Sequence, residues 1–218
     1  MGSLGLRNLN EDMDKLIKSL ESLGLLREEP VKEAFLHNDR REFVPSELKE
    51  FAYDDTALPI AGGQTISQPY TVAFMIELLA PFAGQKILDI GLGSGWTTGI
   101  LARITGDGGK VYAMEINSEL YEFGKANLEK FGYKNIQLFN RSGARGLPAY
   151  APFDRILVSA TASHVPEALK LQLAPGGRLV LPIGPVFGSS IFVVEKLRDG
   201  SFLEKSFPGF AFVPLDMK

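Results

Sequence analysis

Three glycines stand within five residues, Gly91, Gly93 and Gly95, directly after the apolar run Lys86–Ile90. A helical pattern, Thr97–Ile104, begins just beyond them. Glycines between a strand and a helix let the backbone turn tightly and approach a ligand closely. The helix start offers unpaired N–H groups beside them. A nucleotide-type ligand is the usual occupant of such a turn, and two cofactor classes use it.

A dinucleotide site asks for G-x-G-x-x-G. Here the spelling is Gly91-Leu92-Gly93-Ser94-Gly95-Trp96, with tryptophan at the sixth position. Asp89, two residues ahead of the first glycine, would repel a pyrophosphate. A ligand with cationic groups and no phosphate suits the loop better, and S-adenosylmethionine (AdoMet) carries an ammonium and a sulfonium. A plain tight turn would need neither three glycines nor the acid. The run Val111–Glu115 then ends in a carboxylate about 20 residues after the loop, the spacing expected of a ribose-binding acid. Asp89, Gly91, Gly93, Ser94 and Glu115 are therefore candidate cofactor residues. Together they read as an AdoMet-type Rossmann-like domain.

Those residues need a parallel sheet to hold them. Strand-like runs recur at Lys86–Ile90, Val111–Ile116, Ile136–Phe139, Arg155–Ser159, Arg178–Leu181 and Ile191–Lys196. Helical stretches separate most of them: Thr97–Ile104, Ser118–Phe131 and Pro166–Leu173. Alternation of this kind predicts an α/β fold with a doubly wound, mostly parallel sheet. The later strands follow one another through turns, which predicts an antiparallel edge, and Phe210–Leu215 is a candidate last strand. Ahead of this core, Leu16, Ile17, Leu20 and Leu23 repeat at helical spacing, and Pro30 can open a second helix through Val31, Ala34 and Phe35. Ser46 can cap a short helix over Glu47–Phe51. From Tyr53 to Pro69 regular patterning stops. A loop of that length inside a compact domain is usually functional. The expected organisation is a single domain, with residues 1–69 as N-terminal helices and substrate loop and residues 70–218 as the cofactor-binding core.

Composition removes several chemistries. The chain has 218 residues and no cysteine, so disulfides, thiolate metal sites and a thiol nucleophile are excluded. Its two histidines, His37 and His164, are far apart, which argues against zinc, and no metal is expected. Lys and Arg total 23 against 26 Asp and Glu, with no basic run, so a nucleic-acid partner is not expected. No apolar run approaches the ~18 residues that span a bilayer. The first 25 residues are charged rather than signal-like, which makes the cytoplasm the expected compartment; the oligomeric state is not given by the sequence, and a monomer is the expectation. Asp54 and Asp55 read as turn formers or peptide-positioning groups. Trp96 is expected to pack helix against sheet, and Asn140-Arg141-Ser142, though a glycosylation sequon, is discounted in such a chain.

Several separated motifs resemble the protein-L-isoaspartate (D-aspartate) O-methyltransferase family, from about Asp39 to Leu215. They are Phe43-Val44-Pro45, Ala52-Tyr53 with Asp55, Leu58-Pro59-Ile60, and Gly63-Gln64-Thr65-Ile66-Ser67-Gln68-Pro69-Tyr70, the most specific stretch. Then come the Leu88–Gly95 loop, Ala151-Pro152-Phe153-Asp154, Gln172-Leu173-Ala174-Pro175-Gly176-Gly177, and Phe212-Val213-Pro214-Leu215.

The resemblance implies AdoMet-dependent methylation of the free carboxylate of L-isoaspartyl residues in damaged proteins and peptides. The ester then collapses to a succinimide, whose hydrolysis returns some normal aspartate. By resemblance, Ser67 matches the catalytic serine. Gln68, Pro69, Tyr70 and Thr71, with Val72 next, lie where the family touches AdoMet. Ile60, Gln64, Thr65 and Val213 lie where the isoaspartyl peptide is expected. The residue types are chemically coherent with this. A carboxylate with a reference pKa near ~4 is ionised at neutral pH and needs no general base. Positioning then supplies the catalysis. By residue type alone, Ser67 reads first as a loop hydroxyl capping the helix near Pro69.

One motif departs from the family. Ser142-Gly143 stands where the family has Asp-Gly against the adenine, which replaces a charged acceptor with a neutral one worth about 1 kcal/mol less. Weaker AdoMet binding is the expected consequence. The rival readings are a catalytically weak or inactive isoaspartyl-peptide binder, a methyltransferase for another acceptor on the same scaffold, and, more remotely, a nicotinamide dehydrogenase.

Overall fold

The structure is a computed structural model that describes residues 9–214. Helix α1 (Leu9–Ser22) buries Leu16, Ile17 and Leu20 and leaves Leu23, beyond its end, exposed. Helix α2 (Glu29–His37) has Pro30 in its first turn and buries Val31, Ala34 and Phe35. Two 3-10 turns follow, Arg40–Phe43 and Ser46–Phe51, the first capped by Asp39 and the second starting at Ser46 behind Pro45. The stretch from Tyr53 to Pro69, unpatterned in sequence, folds back on itself. Strands β1 (Leu58–Pro59) and β2 (Thr65–Ile66) pair antiparallel across a 3-10 turn at Ala61–Gly63. Two-residue strands are too short to show a period, which is why the sequence reads as loop.

The core then alternates. Helix α3 (Pro69–Leu79) leads to β3 (Lys86–Ile90), α4 (Trp96–Thr105), β4 (Lys110–Glu115), α5 (Ser118–Glu129) and β5 (Ile136–Asn140). After these come β6 (Phe153–Val158), α6 (Glu167–Leu171), β7 (Leu173–Ile183), β8 (Phe187–Lys196) and β9 (Phe202–Ala211). The seven-stranded sheet has the order β5-β4-β3-β6-β7-β8-β9. Strands β3 to β7 pair parallel, and β7-β8-β9 is an antiparallel edge. The doubly wound, mostly parallel architecture expected from the alternation is the one observed.

Several strand limits differ from the pattern: β6 begins at Phe153 rather than Arg155 and β8 at Phe187 rather than Ile191. Strand β7 begins at Leu173, not Arg178, because Pro175, Gly176 and Gly177 look like a turn and yet run within the strand. The last strand is Phe202–Ala211 and not Phe210–Leu215; Leu215 lies outside the described residues. An edge strand tolerates Glu204, Lys205 and Pro208, residues that hide it from a hydropathy reading. Phe212 to Pro214 leave the sheet edge and return to the end of β6, where Thr161 N–H donates to Val213 O at 2.8 Å.

Side chains of successive strand residues alternate between two cores. Ile87, Val111, Ala113, Leu157 and Val180 pack under α1 to α5. Leu88, Ile90, Met114, Ile156, Leu179 and Leu181 pack under α6 and the segment holding Leu147 and Tyr150. The N-terminal helices join the first core through Trp96 at the head of α4. Its ring meets Phe35 edge-on at 5.5 Å, and its indole N–H donates to Asn38 O at 2.8 Å. Asn38, fully buried, also accepts from Tyr133 O–H at 2.8 Å. Trp96 thus ties α4 to the N-terminal segment within the same core that covers the sheet.

Trp96→Phe keeps a ring and removes that buried N–H donor, leaving the Asn38 carbonyl unpaired. The expected loss is about 1–3 kcal/mol, read as a lower midpoint in urea unfolding.

Candidate active site

The chain changes direction across the sheet between β3 and β6. Strands β4 and β5 lie on one side of β3, and β6 starts the other side. Connections leave the carboxyl ends of β3 and β6 in opposite directions and open a crevice there. A cavity of about 390 Å³ occupies it, within the ~300–1,000 Å³ of small-ligand sites.

The floor is the glycine loop. Gly91 and Gly93 adopt left-handed backbone, with φ of 95° and 50°, a region costly to residues with a Cβ. The N–H groups of Gly91 and Leu92 both donate to Met114 O, at 2.9 and 3.0 Å. Helix α5 presses close behind: a Cβ on Gly124 would sit 2.6 Å from Gly93 O. Glu115, at the end of β4, closes the arrangement. One carboxylate oxygen accepts from Gly93 N–H and the other from Asn117 N–H, each at 3.0 Å. Glu115 thus fixes the loop and lines the cavity, and each oxygen keeps a lone pair for a ligand hydroxyl.

The roof is the β1–β2 hairpin. Gln64, Thr65, Ile66 and Ser67 line the cavity from it, and Val213 and Pro214 line it from the returning C-terminal segment. The Ser67 hydroxyl has no hydrogen-bond partner among the described residues. Ser67 does not cap α3. Asp55 does so instead, accepting from Tyr70 N–H at 2.8 Å and from the Gln68 side-chain amide at 3.1 Å.

Of the residues singled out in sequence, Gln64, Thr65, Ser67, Gly91, Gly93, Ser94, Glu115, Gly143 and Val213 are brought together on the cavity wall. Ile60 is not on the wall and packs over Gly93 from behind the hairpin. Gln68, Pro69, Tyr70 and Thr71 form the first turn of α3 and stand back from the cavity. Ser142 lies off the wall as well. Its hydroxyl accepts from Ala144 N–H at 3.4 Å, and it borders a separate depression with Arg141 and Arg145. His164 is exposed beside Ser163.

Asp89 also lies off the wall, and strand alternation gives the reason. Ile90 points to the cavity, so Asp89 points the other way, under α4. There one oxygen accepts from Thr98 O–H at 2.6 Å and the other is buried with no partner among the described residues. Burial pushes its carboxyl up from 3.8 to about 7; the Thr98 hydrogen bond opposes the rise, and the Glu115 charge adds to it.

Sequence reasoning passed over Ile116 and Arg40. Ile116 lines the cavity and is 42% exposed, the kind of apolar surface an aromatic ligand ring covers; its position directly after Glu115 was a usable signal. Arg40 gave no local signal, because its partners lie 12 to 27 residues away.

The donor set tests the cofactor expectation. The cavity wall holds the Glu115 carboxylate and neither Lys nor Arg. That electrostatics disfavours a pyrophosphate and accommodates a cation. Gln64 adds a buried amide oxygen that has no partner among the described residues. Residue types and size thus fit AdoMet.

The comparisons agree. The family model described as Protein-L-isoaspartate(D-aspartate) O-methyltransferase (PCMT) matches residues 11–218. A protein-L-isoaspartate O-methyltransferase of Thermococcus onnurineus is 45% identical over 213 residues, covering 95% of this chain and 96% of its own. A solved protein-L-isoaspartate O-methyltransferase superposes with a TM-score of 0.83 at 28% identity, over 93% of this chain and 65% of that longer one. A Plasmodium falciparum structure described as a β-aspartate methyltransferase, solved with S-adenosyl-L-homocysteine, shares the fold with a TM-score of 0.82 at 24% identity, over 94% and 98% of the two chains.

The raised carboxyl of Asp89 has a thermodynamic signature. Its contribution to stability is fully present below about pH 4 and is lost as pH rises through about 7. Wild-type stability is therefore expected to fall relative to Asp89→Asn between about pH 5 and about pH 8 in urea unfolding. Parallel pH profiles would show that Asp89 is ionised throughout.

Proposed function

The chain belongs to the protein-L-isoaspartate(D-aspartate) O-methyltransferase family, and on that premise we propose which of its residues carry the reaction. It is an AdoMet-dependent enzyme that methylates the free carboxylate of L-isoaspartyl residues, a step in protein repair. The inactive-binder reading is not favoured.

AdoMet supplies an electrophilic methyl group on a sulfonium. Gly91, Gly93, Ser94 and Glu115 would hold it, with Glu115 accepting from the ribose hydroxyls and Ile116 and Gly143 at the adenine end. Asp89 acts from behind, as the buried acid under the loop. Ser67 donates a hydrogen bond to the substrate carboxylate and fixes one of its oxygens toward the methyl. No protein base is needed, because the acceptor is already an anion at neutral pH. Rate comes from orientation and from exclusion of water. Gln64, Thr65 and Val213 flank Ser67 and contact the peptide on either side of the isoaspartyl residue. Ile60 and the Gln68–Thr71 turn support Ser67 from outside the cavity. The observation that carries this reading is one shared wall: the unpartnered Ser67 hydroxyl lines the same cavity as Glu115 and the glycine loop.

We further propose a monomer acting in the cytoplasm on protein and peptide substrates, without nucleic acid. The cysteine-free sequence, its net charge of −3 and the lack of basic residues on the cavity wall support this. Among the described residues no helix is long and apolar enough to cross a membrane.

Incubation with AdoMet and paired peptides, one isoaspartyl and one aspartyl, is expected to release methanol from the first alone. Failure of the isoaspartyl peptide, with cofactor binding intact by calorimetry, would overturn the acceptor assignment. Ser142 stands off the cavity wall but adjoins the wall residue Gly143. Ser142→Asp restores the family acid there with a longer side chain and is expected to tighten AdoMet about fivefold, corresponding to about 1 kcal/mol. An unchanged affinity would remove Ser142 from the cofactor site.

A further inference from the structure

Arg40 is only 2% exposed, yet it belongs to neither the cavity wall nor the motifs above. Its guanidinium is given over to backbone carbonyls. Nη1 donates to Ala52 O at 2.7 Å and to Asp54 O at 3.4 Å; Nη2 donates to Thr56 O at 2.9 Å and to Ser67 O at 3.0 Å. Thr56 precedes β1 and Ser67 follows β2. Nη2 alone therefore ties together the two legs of the hairpin at its open end. The same guanidinium lies over the Trp96 ring, 5.4 Å from its centroid. Trp96 opens α4, directly after the glycine loop. One buried side chain touches both the hairpin that carries Ser67 and the helix that anchors the cofactor loop.

The two halves also meet where Ile60 packs over Gly93, but a single apolar contact does not fix the hairpin legs relative to each other. The hairpin roof is otherwise held by its short β1–β2 ladder, by Asp55 at the start of α3, and by Gly62 against Asn117. Burying a guanidinium among carbonyls carries a desolvation cost, which the nearby charges of Asp55 and Asp54 only partly offset. Satisfying loop carbonyls alone does not require a charge. A planar fork that bonds several carbonyls at set angles does something water cannot: it fixes their relative positions.

We propose that Arg40 is a positioning residue that sets the separation between Ser67 and the AdoMet loop, and so the approach of carboxylate to methyl. Methyl transfer is sensitive to that separation, because a misplacement of about 1 Å can cost about 10²-fold in rate. The proposal rests on the assignment of Ser67 made above.

A double-mutant cycle separates the two. Arg40→Lys keeps the charge and loses the planar fork. It is expected to lower kcat on an isoaspartyl peptide about 10- to 100-fold, with affinity for S-adenosylhomocysteine, measured by calorimetry, within about twofold. In a Ser67→Ala background the same change is expected to cost less than about threefold, because the group it positions is gone. An equal drop in both backgrounds overturns the positioning role and leaves the Ser67 assignment standing. A Ser67→Ala enzyme with normal kcat overturns both. The wild-type enzyme offers a second reading that does not depend on the variants folding. With 15N-labelled arginine, the clamp predicts separate Nη resonances for Arg40 that shift with isoaspartyl peptide plus S-adenosylhomocysteine and not with the aspartyl control. A single averaged Nη signal, or no shift, overturns the proposal.

Discussion

The site exists because β3 and β6 are sheet neighbours whose connections run in opposite directions. At that one place the carboxyl ends of two parallel strands lack a crossover above them, and a crevice results. Everything that could bind or react hangs from its rim: the glycine loop after β3, Glu115 after β4, Ser159 and Ala160 after β6, and the C-terminal segment drawn back by Thr161. The hairpin before α3 only roofs a space that the sheet has already opened.

Electrostatics sorts the charged groups around this crevice into distinct tasks. Glu115 faces the cavity and is held in place by two backbone N–H donors. Asp89, two residues from the loop, faces away and is held by Thr98 in a dry site where ionisation is costly. Arg40 carries the opposite charge, buried behind Ser67, with both Nη groups bonded to carbonyls. Its burial lowers its pKa to about 10, with Asp55 and Asp54 opposing the fall, so it stays cationic at neutral pH. The result is a cavity whose wall shows acceptors and hydroxyls but no basic group. Such a wall fits a cationic methyl donor and leaves the acceptor carboxylate to be fixed by hydrogen bonding.

The chemistry explains why so few side chains are needed. An isoaspartyl carboxylate is already the nucleophile, so there is no proton to remove and no covalent intermediate to hold. What remains is alignment of two bound groups. That places the demand on backbone geometry, on the φ values of Gly91 and Gly93 and on the hairpin base, rather than on a triad or a metal.

The βαβ core was legible in the sequence because its signals are local. The strand at Lys86–Ile90, its glycines and the acid at Glu115 lie within 30 residues, and strand period and helix period each show in short windows. The motif from Gly63 to Tyr70, by its resemblance, pointed to Ser67. Strand parity alone could have turned Asp89 away from the ligand, since Ile87 and Asp89 share a face and Ile90 takes the other. The hairpin at Leu58–Ile66, the edge strand hidden by Pro208, and the carbonyls gathered by Arg40 were not legible. Each depends on contacts between residues that no window holds together. Sequence by itself determined the fold class and the cofactor loop, through local backbone preference and periodicity. Tertiary structure alone decided which side chains share the cavity, because that depends on how distant loops are packed over the sheet and on which buried group holds them there.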